Sequence, residues 1–131
     1  MDETGIALSV CVNQTVLGNS STKRTYLKRP KNREWVSIIE CISAEARRTK
    51  SLVIFKGKTI QNTWFTDDIP DWWYTVSENG WTSNNIGLRW LKDVFLPQTK
   101  PEGDENRILL VDGHGSHATL EFMWECYLNK V

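Results

Sequence analysis

Arg107-Ile108-Leu109-Leu110-Val111-Asp112-Gly113-His114-Gly115-Ser116-His117 is the stretch on which the reading of the fold turns. Four aliphatic residues in a row, with charge before and glycine after, suit a short strand buried on both faces. The run stops at a carboxylate, two glycines and two histidines, and an amphipathic helical pattern follows. A buried strand that ends in Asp at a tight turn into a helix holds that carboxylate at the rim of a sheet, where ligands of α/β folds commonly sit. The structural alternative is a turn that Asp112 merely caps.

Around that stretch the chain is short and electrically balanced. Its 131 residues make one domain at most, and 16 basic side chains cancel 16 acidic ones. Net charge therefore gives no argument for a nucleic-acid partner, and only local clusters can. No apolar run approaches the length of about 18 residues that a membrane-spanning helix needs, and no secretory signal opens the sequence. Cys11, Cys41 and Cys126 are odd in number and far apart, which fits reduced thiols packed as small apolar groups.

Upstream, Ile6, Leu8 and Val10 alternate with small residues as in a strand. Between residues 12 and 34 the chain is polar and carries Lys23, Arg24, Lys28, Arg29, Lys31 and Arg33 around Pro30. That is a basic loop able to touch phosphates, or equally a solvated surface. Trp35 to Ile42 has two mostly apolar faces and reads as an inner strand. Leu52-Val53-Ile54-Phe55 reads as its antiparallel neighbour after a short link. From Thr59 to Gly80 no period survives, and Trp64, Phe65, Trp72, Trp73 and Tyr74 punctuate what reads as a loop. Such rings can stack nucleobases, but more commonly they close a loop over the core.

Thr82 or Ser83 offers an N-cap to a helix with Ile86, Trp90 and Val94 in one stripe, which Pro97 ends. After Ser116, Leu120, Met123, Trp124, Tyr127, Leu128 and Val131 follow helical spacing closely. The expected order is an α/β arrangement: a three-strand antiparallel meander, a helix, a parallel strand and a helix. A ribonuclease-H-like fold begins this way, with the first strand beside the strand that follows the first helix. Asp2 and Asp112 would then stand on neighbouring strands, able to bridge two Mg²⁺ ions roughly 3.5–4 Å apart.

Five blocks add a resemblance. They are Met1-Asp2-Glu3-Thr4-Gly5, Arg33 to Ala44, Leu52 to Lys58, Asn79-Gly80-Trp81-Thr82 and Leu110 to His117. In this order they resemble the DDE superfamily endonuclease domain, and within it the pogo-like transposases related to mariner elements. The resemblance implies a nuclear, DNA-cutting enzyme that uses Mg²⁺ or Mn²⁺ at three acidic residues, and that acts as a homo-oligomer in the complete transposase. Asp2 matches the first acid and Asp112 the second. The third falls beyond Val131 in the family pattern, and the family's helix-turn-helix region precedes its catalytic domain. Residues 1–131 are accordingly expected to be part of a DDE endonuclease domain and inactive alone. The basic residues above, with His114 and His117, are the expected DNA contacts.

Other acids are poorer candidates for the site. Glu3 should point to the opposite face from Asp2, Glu121 and Glu125 read as solvent-facing, and nothing in the sequence aims Glu40 at the rim. Two further readings stand beside the endonuclease. Asp112, His114 and His117 supply three ligands within six residues, enough for a zinc hydrolase site with one open position. A non-catalytic DNA-binding or assembly remnant would need neither metal nor a third acid.

Overall fold

The computed structural model describes residues 1–8, 21, 34–113 and 115–131. Its centre is a four-stranded mixed sheet of β1 (Asp2–Leu8), β2 (Glu34–Glu40), β3 (Leu52–Lys56) and β4 (Trp73–Ser77), in that spatial order. β1 pairs antiparallel with β2, β2 antiparallel with β3, and β3 parallel with β4. The antiparallel meander expected from the alternating apolar pattern is therefore present. β1 starts at Asp2, earlier than the alternation from Ile6 suggested, and Val10 lies outside the described residues. β2 stops at Glu40, and Ile42 joins only an isolated bridge to Arg48.

β4 is a correction. Trp73-Tyr74-Thr75-Val76-Ser77 lies in a stretch that reads as loop, yet its aromatic and β-branched residues suit a half-buried pleated surface. The connection from β3 crosses over the sheet and carries Trp64 and Phe65 onto it. Their rings pack on Phe55 and Tyr74 at centroid distances of 4.9 Å for Phe55–Trp64 and 5.0 Å for Phe65–Tyr74. Trp64 and Phe65 thus close the loop over one sheet face, whereas Trp72 and Trp73 are exposed.

The opposite face packs on helices. Ser83 caps α1 (Asn84–Trp90) by accepting a hydrogen bond from the Ile86 amide. A π-helical turn, Leu91–Phe95, continues α1 into α2 (Leu96–Gln98). The amide of Leu96 bonds to the carbonyl of Leu91, and this wide turn brings in Pro97, which has no amide hydrogen to donate. Trp90, Leu91, Val94 and Phe95 meet Ile39, Cys41, Leu52 and Ile54 of the sheet side in one core, joined by Phe122. Gly80 adopts φ +82°, and its carbonyl accepts from the buried Ser37 hydroxyl at 2.8 Å. A Cβ there would stand 2.9 Å from the Trp35 carbonyl oxygen, so a glycine is required on two counts.

Two expectations for the last third fail. Ile108–Val111 forms no strand of the sheet, and it is not buried on both faces: Leu109 packs against the core, while Ile108 is 86 % and Leu110 78 % exposed. Four aliphatic residues look alike whether one face or two are covered, and here only one is. The segment meets the start of β1 where the Met1 ammonium donates to the Leu110 carbonyl at 2.8 Å.

α3 (Leu120–Leu128) is capped by Thr119 and turns the other way from its expected stripe. Leu120, Met123, Trp124, Tyr127 and Leu128 are exposed; Phe122, at 3 %, and the half-buried Cys126 face the core. Apolar residues occupy more than half of this helix's circumference, so two faces competed and the narrower one is inside. Glu121 is exposed as expected, but Glu125 is half-buried and pairs with Lys92 at 3.2 Å.

Arg107 ties the ends of these helices together. Its guanidinium donates to the Leu96 carbonyl, the Thr99 hydroxyl and the Asn129 carbonyl, and it lies over the Phe95 ring. Its own amide donates to the Lys130 carbonyl at 2.8 Å. A cation among carbonyls at helix C-termini is placed where helix dipoles favour it.

Candidate functional site

Asp2 opens β1 at one end of the sheet, and its direct cross-strand partner is Glu40, the last residue of β2. Residues opposite each other in a ladder project from the same face, so the two exposed carboxylates are neighbours. One oxygen of Asp2 accepts from the amide of Glu3 at 2.9 Å. Glu3 itself projects to the helical side, where its carboxylate accepts from the Thr82 amide at 3.2 Å. The expected division of faces between Asp2 and Glu3 is thus observed. Glu40 is the residue that sequence reasoning set aside, because strand register, which alone puts it beside Asp2, cannot be read from one strand's pattern.

Asp112 follows the 107–111 run by one residue. The Met1–Leu110 bond brings the beginning of β1 beside this run, with Asp2 one residue after one partner and Asp112 two residues after the other. The Asp112 carboxylate lies 3.6 Å from Nε2 of His117. His117 is buried in a short 3₁₀ turn, Gly115–His117, and its ring meets Phe122 edge-on at 5.8 Å. One of the two histidines therefore stands beside the Asp112 carboxylate. His114, Lys23, Arg24, Lys28, Arg29, Lys31 and Arg33 lie outside the described residues.

Behind Asp112, a cleft of about 390 Å³ separates the 107–111 segment from α3, with Arg107, His117 and Cys126 among apolar walls. Burial lowers the pKa of Arg107, an effect that Cys126 partly opposes. Burial, with the Glu125 carboxylate beside it, raises the Cys126 thiol above its ordinary range, and Arg107 offsets part of that rise.

Whether this arrangement fits a divalent metal is decided by its donors. Hard cations take six or more oxygens, and Mg²⁺ dehydrates reluctantly. Among the described residues no three His, Cys, Asp or Glu side chains are arranged to hold a metal ion. The carboxylates present do not fit a two-metal centre. Of the possible zinc trio, Asp112 and His117 approach each other to 3.6 Å, and His114 lies outside the described residues.

Comparison with known proteins gives the family. Residues 32–131 match the model described as DDE superfamily endonuclease, and the chain belongs to that family. Over 132 aligned positions it is 36 % identical to a Cochliobolus lunatus protein named MFS-type transporter clz9, covering 99 % of this chain. The chain spans 14 % of the length of that curated relative. Among the described residues no helix is long and apolar enough to cross a membrane. No solved structure matches.

Proposed function

We propose that these 131 residues are part of the catalytic domain of a pogo-like DDE transposase, built on a ribonuclease-H-like plan and acting on DNA phosphodiester bonds in the nucleus. Asp2 and Asp112 supply two of its acids, and the residues here do not cut DNA alone. The observation that carries this reading is the Met1–Leu110 bond. It brings the segment that leads to Asp112 beside the start of the strand that opens with Asp2, which supports a site shared by the two. The antiparallel β1–β2–β3 meander supports the same plan, to which β4 adds a parallel strand at the β3 edge before α1. In the complete protein, Mg²⁺ or Mn²⁺ would supply charge stabilisation of phosphodiester cleavage. Within this chain Asp2 and Asp112 contribute fixed negative charge at the rim, and His117 orients Asp112.

The reading is tested by adding Mn²⁺ to the isotope-labelled chain and following paramagnetic broadening residue by residue. Weak binding that broadens the amides around Asp2 and Asp112 together is expected. It should vanish in Asp112→Asn and persist in Glu121→Gln. Broadening confined to one aspartate, or unaffected by Asp112→Asn, would remove the basis for a shared site. A non-catalytic DNA-binding or assembly remnant is the second reading.

A further inference from the structure

β4 is the last strand of the sheet, and among the described residues no strand pairs with its outer side. The Trp73 amide donates to the Ser51 carbonyl at 2.9 Å, and the Ser77 carbonyl accepts from the Gly57 amide at 2.9 Å. Backbone groups alternate in direction along a strand, so Trp73, Thr75 and Ser77 bond toward β3, and the N–H and C=O groups of Tyr74 and Val76 face outward. Edge strands are ordinarily kept from pairing by charge, proline, a bulge or a cover. Trp73-Tyr74-Thr75-Val76-Ser77 contains no charge and no proline, and its register with β3 is unbroken. Ile69, Trp72 and Trp73 stand exposed on or just before the same strand.

We propose that β4 is a contact between two copies of this chain, paired antiparallel about a two-fold axis through Thr75. That register sets Tyr74 against Val76 of the second copy, and Val76 against its Tyr74, so the outward N–H and C=O groups bond to one another on both sides of the axis. A centre lying between two residues would set outward groups against inward ones and lose those bonds. Thr75 meets Thr75 at the axis, and Tyr74 meets Val76; Thr–Thr and aromatic–β-branched pairs are among the favourable cross-strand combinations. Beyond the strand, Trp72 falls opposite Glu78 and Asp71 opposite Asn79, so no like charges face each other. The two four-stranded sheets become one of eight strands. Because the two-fold axis uses the same edge on both copies, the interface closes at a dimer. A five-residue edge buries little area, which makes the association weak and concentration-dependent. This contact does not depend on the metal reading.

Amide hydrogen exchange, followed by NMR from micromolar to millimolar chain, tests it. Protection of the Tyr74 and Val76 amides should rise with concentration, whereas that of Trp73 and Thr75, bonded to β3, should stay constant. Val76→Pro removes an outward N–H without taking a bond from β3, and it should leave a folded monomer by sedimentation equilibrium. Should that variant not fold, the exchange pattern of the unmodified chain decides alone. A chain that sediments as a monomer throughout overturns the proposal. So does a dimer whose Tyr74 and Val76 amides exchange freely, or protection of those amides that ignores concentration.

Discussion

Asp2 and Glu40 are cross-strand partners, two exposed carboxylates on the same face at one end of the sheet. Like charges directly opposite in a ladder work against folding, by roughly 0.2–1 kcal/mol for a surface pair. An acidic rim at this cost, set where β1 meets the segment leading to Asp112, is the feature that most distinguishes this sheet end from an ordinary one.

Replacing Glu40 with Gln should therefore stabilise the chain slightly at neutral pH. The gain should shrink as salt rises, because exposed charges are screened over about 10 Å at 0.1 M ionic strength. Urea midpoints at low and high salt measure it. A gain independent of salt would mean that the carboxylates do not act on each other.

The inverted α3 makes a sharp contrast between two faces of one helix. Phe122→Ala should cost about 3–5 kcal/mol, the usual range for deleting a buried phenyl ring. Leu120→Ser and Tyr127→Ser should change stability by about 0.5 kcal/mol or less, as exposed substitutions do. Chemical denaturation of the three variants is the check. Equal losses at Phe122 and Leu120 would contradict the orientation of the helix.

Arg107→Lys keeps the charge but cannot reproduce the fork that reaches Leu96, Thr99 and Asn129 together. A loss of roughly 2–3 kcal/mol is expected, as for a charged hydrogen-bonded group removed from partly buried partners. Thermal unfolding reads it. A lysine variant as stable as the parent would show that charge alone holds the helix ends.

Cys126 sets a pH dependence. Its folded pKa lies above the unfolded one, so the folded chain holds the thiol proton when the unfolded chain has released it. Its contribution is fully present below the ordinary thiol pKa of about 8.5 and is lost as pH rises through the folded value. Stability should fall across that alkaline window, and Cys126→Ala should flatten this part of the slope. An unchanged slope in the variant would assign the effect to other groups.

How far the sequence carries is visible in particular elements. β2 and β3 were legible because their apolar residues have a clear strand pattern, and the start of α1 because Ser83 precedes a helical stripe. The faces of Asp2 and Glu3 followed from strand alternation alone. β4 was hidden because its parallel partner is β3, across a connection whose aromatic residues carry no period. α3 misled because Leu120, Met123, Trp124 and Tyr127 form the stronger stripe, while Phe122 and Cys126 make the contacts. Glu40's place depends on register, and the open face of Ile108 and Leu110 on what neighbours them in space. Neither is written in local pattern.

Asp2 and Asp112 are proposed to share one acidic site that does not cut DNA with these residues alone. Supercoiled DNA incubated with Mn²⁺ and either the unmodified chain or its Asp112→Asn variant tests this most directly. Both should leave the DNA supercoiled. Nicking by the unmodified chain that disappears in Asp112→Asn would show that the carboxylates present suffice for cleavage, and would contradict the account.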